Sequence, residues 1–80
     1  MRLDIFLSKI GLIKRRTVAK EMADNGLIRI NDNRAKPSRE INEKDIIKIG
    51  GKHPITIEVL MLPSGNVKKD DREKYFLKLE

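Results

Sequence analysis

The sequence contains no cysteine, one histidine and three aromatic residues, and it has no long apolar run. Without cysteine, neither disulfides nor thiolate-bound metals can hold the fold together. No stretch approaches the ~18 consecutive apolar residues of a membrane span, and the N-terminus lacks the apolar segment of a secretory signal. These absences predict a cytoplasmic protein without a metal or cofactor.

Groups that carry catalysis are also scarce. His53 stands beside Pro54 in a sequence typical of a turn, with no acid cluster at ligand spacing. Gly50-Gly51 lacks the ending of a phosphate-binding loop and leads from one strand pattern into another. A chain of 80 residues leaves little room for a substrate cleft with supporting residues. We therefore predict a protein that is not an enzyme.

Basic residues outnumber acidic residues in the sequence. The chain has a formal net charge of +6, which indicates a polyanionic partner. Residues 1–50 carry twelve Lys and Arg against seven Asp and Glu, and no acid stands between Asp4 and Glu21. A base-stacking platform would need aromatic side chains among these cations. Their scarcity favours contact with phosphate backbones and folded RNA shape instead.

Two amphipathic helices are predicted in this basic half. The first carries an apolar face at helical spacing and ends at Gly11, its face being Leu3, Phe6, Leu7 and Ile10. The second opens with three cations and stops at Asn25-Gly26, with an apolar stripe of Val18, Ala19, Met22 and Ala23.

The cations that open the second helix are the least expected feature of the sequence. Lys14, Arg15 and Arg16 oppose the positive end of the helix dipole. Such a local conflict indicates a function, and a helix start fringed by cations is suited to anions. Arg16 lies off the apolar stripe, so it is predicted to be exposed and dispensable for stability.

After Gly26 the apolar period changes from helical to alternating. Strands are predicted at 28–31, 34–36, 47–49, 55–61 and 75–79, with a turn at 31–33 and a loop or helical turn at 68–74. The last strand is expected to direct Tyr75, Leu77 and Leu79 to one side. The fold class is therefore α+β, with two N-terminal helices packed on a small, mainly antiparallel sheet.

The motifs, taken in order, resemble the S4 RNA-binding domain. They are Arg2-Leu3-Asp4-x-Phe6-Leu7, Lys14-Arg15-Arg16-Thr17-x-Ala19, Gly26-x-Ile28-x-Ile30-Asn31, Lys36-Pro37-Ser38 and Asp45-x-Ile47-x-Ile49. Residues 1–50 are assigned to this domain, and residues 51–80 to C-terminal strands that complete the same single domain. The whole chain is similar to the stand-alone bacterial RqcP branch of ribosome-associated quality control, kin of the fifteen-kilodalton heat-shock protein.

The resemblance implies a set of RNA-binding residues. By position, phosphate and rRNA contacts fall to Arg2, Lys14, Arg15, Arg16 and Lys20. Thr17 would be a hydroxyl donor at the helix start, and Asn31 and Lys36 would be hairpin contacts. Asp4 would orient an arginine or meet an RNA hydroxyl, or would simply be a carboxylate suited to a helix start.

The resemblance also implies a role on the ribosome. The expected partners are rRNA of the obstructed large subunit, peptidyl-tRNA, and a tailing factor that extends stalled chains without mRNA, with no membrane and a monomeric state off the ribosome. One alternative is a heat-shock-type factor that recycles large subunits. Others are the targeting arm of an RNA-modifying enzyme and a basic module for proteins or membrane surfaces.

Overall fold

The computed structural model describes residues 1–79 and contains two α-helices, a short 3₁₀ helix and five strands. The elements are α1 (Leu3–Lys9), α2 (Arg16–Asp24), β1 (Ile28–Ile30), β2 (Asn33–Arg34), β3 (Ile46–Ile49), β4 (Ile55–Val59), the 3₁₀ helix (Lys69–Lys74) and β5 (Phe76–Lys78). Every strand pair is antiparallel, in the order β2-β1-β3-β4-β5. This confirms the predicted α+β fold. Glu80, which closes the predicted C-terminal segment, lies outside the described residues.

The core lies between the two helices and one face of the sheet. The predicted apolar face of α1 is buried, and it packs with alternate residues of the strands: Ile28, Ile30, Ile47, Ile49, Ile57 and Val59. Each large apolar side chain that is fully buried contributes roughly 1.5–3 kcal/mol. We call the opposite side of the sheet, which carries the intervening residues, the outer face.

The start of α1 is closed by the loop that precedes Ile41. The backbone N–H groups of Leu3 and Asp4 donate to the carbonyl oxygens of Arg39 and Pro37, at 2.9 and 3.2 Å. These N–H groups have no acceptor within a helix, because its first turn lacks preceding carbonyls. The loop thus satisfies the helix start and lies beside Arg2.

The turn after α1 is covered by the C-terminal part of the chain. Gly11 has φ +76°, and a Cβ there would overlap the guanidinium of Arg72. Lys9 reaches the same segment, since its Nζ donates to the carbonyl of Gly65 at 2.6 Å. Glycine at position 11 therefore meets two demands, a left-handed backbone and the space that Arg72 fills.

The predicted orientation of α2 was wrong in part. Ala19 and Ala23 are buried, but Met22 is half-buried and Val18 is 41% exposed. Successive residues of a helix are about 100° apart, so burying Ala19 turns Val18 towards solvent. The helix also begins at Arg16, with Lys14 and Arg15 ahead of it.

The sequence left open which side of the last strand faces the core, and the strand register decides it. Phe76 pairs with buried Val59 and packs against the core, whereas Leu77 pairs with Glu58 on the outer face and is exposed. Leu79 is exposed as well. The predicted turn after β1 is confirmed, because Asn31 and Asp32 have φ +51° and +69°, as a tight hairpin requires.

Candidate nucleic-acid interface

A buried carboxylate links the starts of the two helices. Asp4, in the first turn of α1, has a side chain only 1% exposed. Its Oδ1 accepts hydrogen bonds from Arg2 Nε at 3.1 Å and from the Ile5 N–H at 2.8 Å. Its Oδ2 accepts from Arg2 Nη2 and Arg16 Nε, each at 3.2 Å. Asp4 therefore holds two guanidinium groups side by side, one from before α1 and one from α2.

The hydrogen bonds at Asp4 decide its charge. Burial raises the pKa of a carboxyl group because it disfavours the charged form. At Asp4 the hydrogen bonds from Arg16, Arg2 and the Ile5 N–H outweigh burial, so its pKa lies below the ordinary value of 3.8. The carboxylate is negative at neutral pH.

The lowered pKa of Asp4 predicts a pH-dependent stability. In the unfolded chain this carboxyl takes up its proton near 3.8, and in the folded chain only at lower pH. Its contribution to the free energy of unfolding is thus present above the unfolded pKa and lost as pH falls through the folded pKa. Urea titrations of the wild type and Asp4→Asn should show a stability difference that shrinks in acid. A difference that stays constant down to about pH 2 would contradict the carboxylate's role.

Two adjoining concavities surround this ion cluster, and we call them together the helix groove. One has a volume of about 370 Å³ and the other about 480 Å³, and both are lined by Arg2 and Lys20. The groove brings together six of the residues predicted to bind RNA: Arg2, Asp4, Arg16, Thr17, Lys20 and Lys36. Five cations and two acids, Asp4 and Asp24, line the groove, so a surface of net positive charge runs from the helix starts to the loop after β2.

The other predicted residues do not line the helix groove. Lys14 and Arg15 are exposed ahead of α2. Asn31 uses its amide within the fold, because Nδ2 donates to Asp45 Oδ1 at 3.2 Å and Oδ1 accepts from the Ile46 N–H at 3.0 Å. RNA contacts by these residues stay predictions, and the geometry gives Asn31 a role in joining the hairpin to β3.

Arg34 and Ser38 line the helix groove but were missed from the sequence. Arg34 Nη2 donates to the carbonyl of Asp24 at 2.6 Å, and its guanidinium lies against Gly26. The available signal was Gly26, since glycine permits a long side chain to cross close to the backbone. It could not identify the side chain that crosses.

Residues 1–79 lack two other kinds of feature, a membrane-spanning helix and a metal-binding cluster. No helix of this part of the chain is long and apolar enough to span a membrane. Within the same residues, no group of His, Asp and Glu side chains is arranged to hold a metal ion.

Comparisons with known proteins find matches to the RNA-binding half of the chain and to nearly its whole length. The family model described as S4 domain matches residues 1–47. The RQC P-site tRNA stabilizing factor of Bacillus subtilis is 42% identical over 76 residues, which cover 94% of this chain and 88% of that protein. The factor of the same name from Streptococcus pneumoniae is 40% identical over 76 residues, covering 94% and 86%.

A solved structure matches the fold over nearly the whole chain. Heat shock protein 15 of Vibrio cholerae, described as trimeric, superposes with a TM-score of 0.89 and 24% identity. The match covers 98% of this chain and 80% of that one. The likeness extends through the C-terminal strands, beyond the residues that the family model matches.

Proposed function

Because the chain belongs to the S4 domain family and, within it, to the RQC P-site tRNA stabilizing factors, we propose that it binds tRNA in the P site of obstructed large ribosomal subunits. The helix groove is the RNA-binding surface. The observation that carries the proposal is the buried Asp4 carboxylate, which fixes the guanidinium groups of Arg2 and Arg16 at one edge of that groove.

The fixed arginines suit a phosphate backbone. Their side chains are 40% and 53% exposed, so donors that Asp4 does not use remain open to an RNA oxygen. A guanidinium presents five N–H donors in a rigid fork, and orienting it in advance reduces the entropy lost on binding. Lys20 and Lys36 add mobile charges, and Thr17 adds a hydroxyl. Such a surface recognises RNA by backbone and shape.

Further partners follow from the same role. The exposed Lys14 and Arg15 would reach large-subunit rRNA beside the tRNA, and the chain would assist the factor that adds C-terminal tails without mRNA. It would act without catalysis, in the cytoplasm, as a monomer off the ribosome, with residues 51–80 completing one domain with residues 1–50. The roughly 40% identity to factors named for P-site tRNA favours this role over subunit recycling by a heat-shock-type factor or a targeting arm of an RNA-modifying enzyme.

Arg16→Ala tests the helix groove. The variant should bind large subunits carrying P-site tRNA more weakly by about 1–3 kcal/mol, because a charged donor to RNA is lost. It should also lower the free energy of unfolding by roughly 0.5–1.5 kcal/mol, since Asp4 loses one partner. This expected loss of stability replaces the prediction from sequence that Arg16 is dispensable for stability. Cosedimentation and urea denaturation measure the two effects on one preparation.

Lys69→Ala is the matched control, because it removes one exposed cation that lies outside the helix groove. Its affinity should remain within about twofold of the wild type. For the wild type, neutralising ~4–6 phosphates predicts a slope of about −3 to −5 for log affinity against log salt. A folded Arg16→Ala variant with unchanged affinity, or a salt slope near zero, would refute the proposal.

A further inference from the structure

Three cations form a row across the outer face of the sheet. The strand register places Arg34 of β2 opposite Arg29 of β1, and Arg29 opposite Lys48 of β3. All three residues are exposed. Neighbouring strands are about 4.8 Å apart, so the row spans roughly 10 Å. Like charges directly opposite each other destabilise a sheet, so the row carries a cost that other contacts must offset.

The fold compensates this charge incompletely. Lys48 Nζ forms a salt bridge with Asp32 Oδ1 at 2.8 Å, and Arg29 Nη1 donates to the Asp32 carbonyl at 3.3 Å. Arg34 turns at the sheet edge towards the carbonyl of Asp24. On the adjoining strand, Glu58 pairs with Ile46, two register positions from the Lys48–Thr56 pair and on the same face as Lys48. The carboxylate of Asp32, 80% exposed on the hairpin turn, thus pairs with one of the three cations, Lys48.

A groove lies beside the row and separate from the helix groove. Its volume is about 340 Å³, and no residue that lines it also lines the helix groove. Arg29, Lys48 and Thr56 supply its polar wall, and Leu27 and Pro54 supply apolar surface. Cations and a hydroxyl suit phosphate oxygens, and the apolar surface suits the sugar between two phosphates.

We propose that the outer face binds a second segment of RNA backbone, with phosphates on Arg29 and Lys48. The chain then contacts two RNA segments from opposite sides of its sheet. The proposal rests on the proposed function only in taking RNA as the polyanion. The body is 24 to 29 Å across, so the two segments are held a short, fixed distance apart.

The number of RNA molecules bound tests the second surface. The probe is an RNA hairpin of about 10 base pairs, which is far shorter than the duplex persistence length and cannot bend around to both faces. Analytical ultracentrifugation should find two hairpins per wild-type chain and one per Arg29→Gln/Lys48→Gln chain. Arg2→Gln/Asp4→Asn/Arg16→Gln should also bind one, and it includes Asp4→Asn so that no buried carboxylate is left without its arginines. Lys68→Gln/Lys69→Gln, with the same change in charge as Arg29→Gln/Lys48→Gln but outside both grooves, should still bind two.

The outcomes separate the two surfaces. A single hairpin per wild-type chain, with affinity unchanged in Arg29→Gln/Lys48→Gln, overturns the outer site and leaves the helix groove intact. Loss of one hairpin in that variant alone, with Arg2→Gln/Asp4→Asn/Arg16→Gln unaffected, supports the outer site and refutes the helix groove. Thermal melts should show Arg29→Gln/Lys48→Gln at least as stable as the wild type, because like-charge repulsion is relieved.

Asp32→Asn is expected to change the RNA affinity of the outer face in the opposite direction. Removing the exposed acid beside the row should tighten hairpin binding to the outer face by about two- to fivefold, measured in Arg2→Gln/Asp4→Asn/Arg16→Gln so that only this face binds. Unchanged or weaker binding contradicts the proposal. Capture of polyglutamate in place of the hairpin would also overturn it, since the partner would then be an acidic polypeptide.

Discussion

Ala19→Asp is expected to abolish the cooperative unfolding transition, whereas Val18→Asp should shift the melting temperature by only a few degrees. Ala19 is fully buried between the helices and the sheet, and Val18 is 41% exposed. An unpaired buried charge costs several kcal/mol. A domain of this size has a total stability of only about 4–12 kcal/mol. Thermal denaturation followed by circular dichroism measures both variants.

Val18→Asp is a close control, because it places the same residue type in the same helix one position earlier. A normal melting transition for Ala19→Asp would show that α2 is rotated about its axis relative to the described packing. Unfolding of both variants would show that Val18 belongs to a buried interface. The pair therefore tests the orientation that places Arg16, Thr17 and Lys20 in the helix groove.

Asp4→Asn should lower the free energy of unfolding by about 1–3 kcal/mol. Removing one member of a buried ion pair costs about 3–5 kcal/mol, but here the arginines are half-exposed and water replaces part of the loss. The variant should also bind large-subunit RNA about 5- to 50-fold more weakly, since the two guanidinium groups lose their fixed orientation. Urea titration and cosedimentation with large subunits give the two quantities.

The direction in which Asp4→Asn changes RNA affinity distinguishes positioning by Asp4 from simple charge attraction. Asp4→Asn makes the protein more positive, so simple charge attraction predicts tighter RNA binding. Weaker binding would identify Asp4 as a positioning residue. Asp24→Asn removes one acid from an exposed residue that also lines the helix groove, and its affinity should be unchanged or higher. Tighter binding by both variants, measured well below their melting temperatures, would refute positioning by Asp4.

The sequence predicted α1 better than α2 for a physical reason. The buried face of α1 consists of large apolar residues, which give a clear helical period. The buried face of α2 consists of Ala19 and Ala23, whose small side chains differ little from a neutral background. Val18 is more apolar than either, so the prediction included it in the buried stripe. Two helices that pack closely favour small residues at their contact. A prediction based on hydrophobicity alone does not take this preference into account.

The strand at the C-terminus illustrates a different limit. Tyr75, Phe76, Leu77 and Leu79 place apolar residues on both faces, so alternation could not choose between them. The register with β4 decides the matter, because it matches Phe76 with buried Val59. Strand pairing depends on distant parts of the chain, and a local pattern does not contain it.

Much of the candidate site was accessible from sequence, but its organisation was not. Charge and motif order singled out Arg2, Arg16 and Lys20, which the fold does bring together. The sequence left the role of Asp4 open between a helix-start carboxylate and an orienting group. Its hydrogen bonds to both arginines favour the second reading. Arg34 reaches the helix groove only because the hairpin folds back towards α2, which no local pattern encodes.

The contact between Gly11 and Arg72 constrains how this sequence can evolve. A side chain at position 11 would meet the guanidinium of Arg72, which is the end of a flexible side chain and can move aside at little cost. The left-handed backbone at Gly11 then still restricts the replacement, most readily to asparagine or aspartate. Substitutions at positions 11 and 72, one in the RNA-binding half and one in the C-terminal segment, are therefore expected to influence each other, with the backbone at position 11 setting the stricter limit.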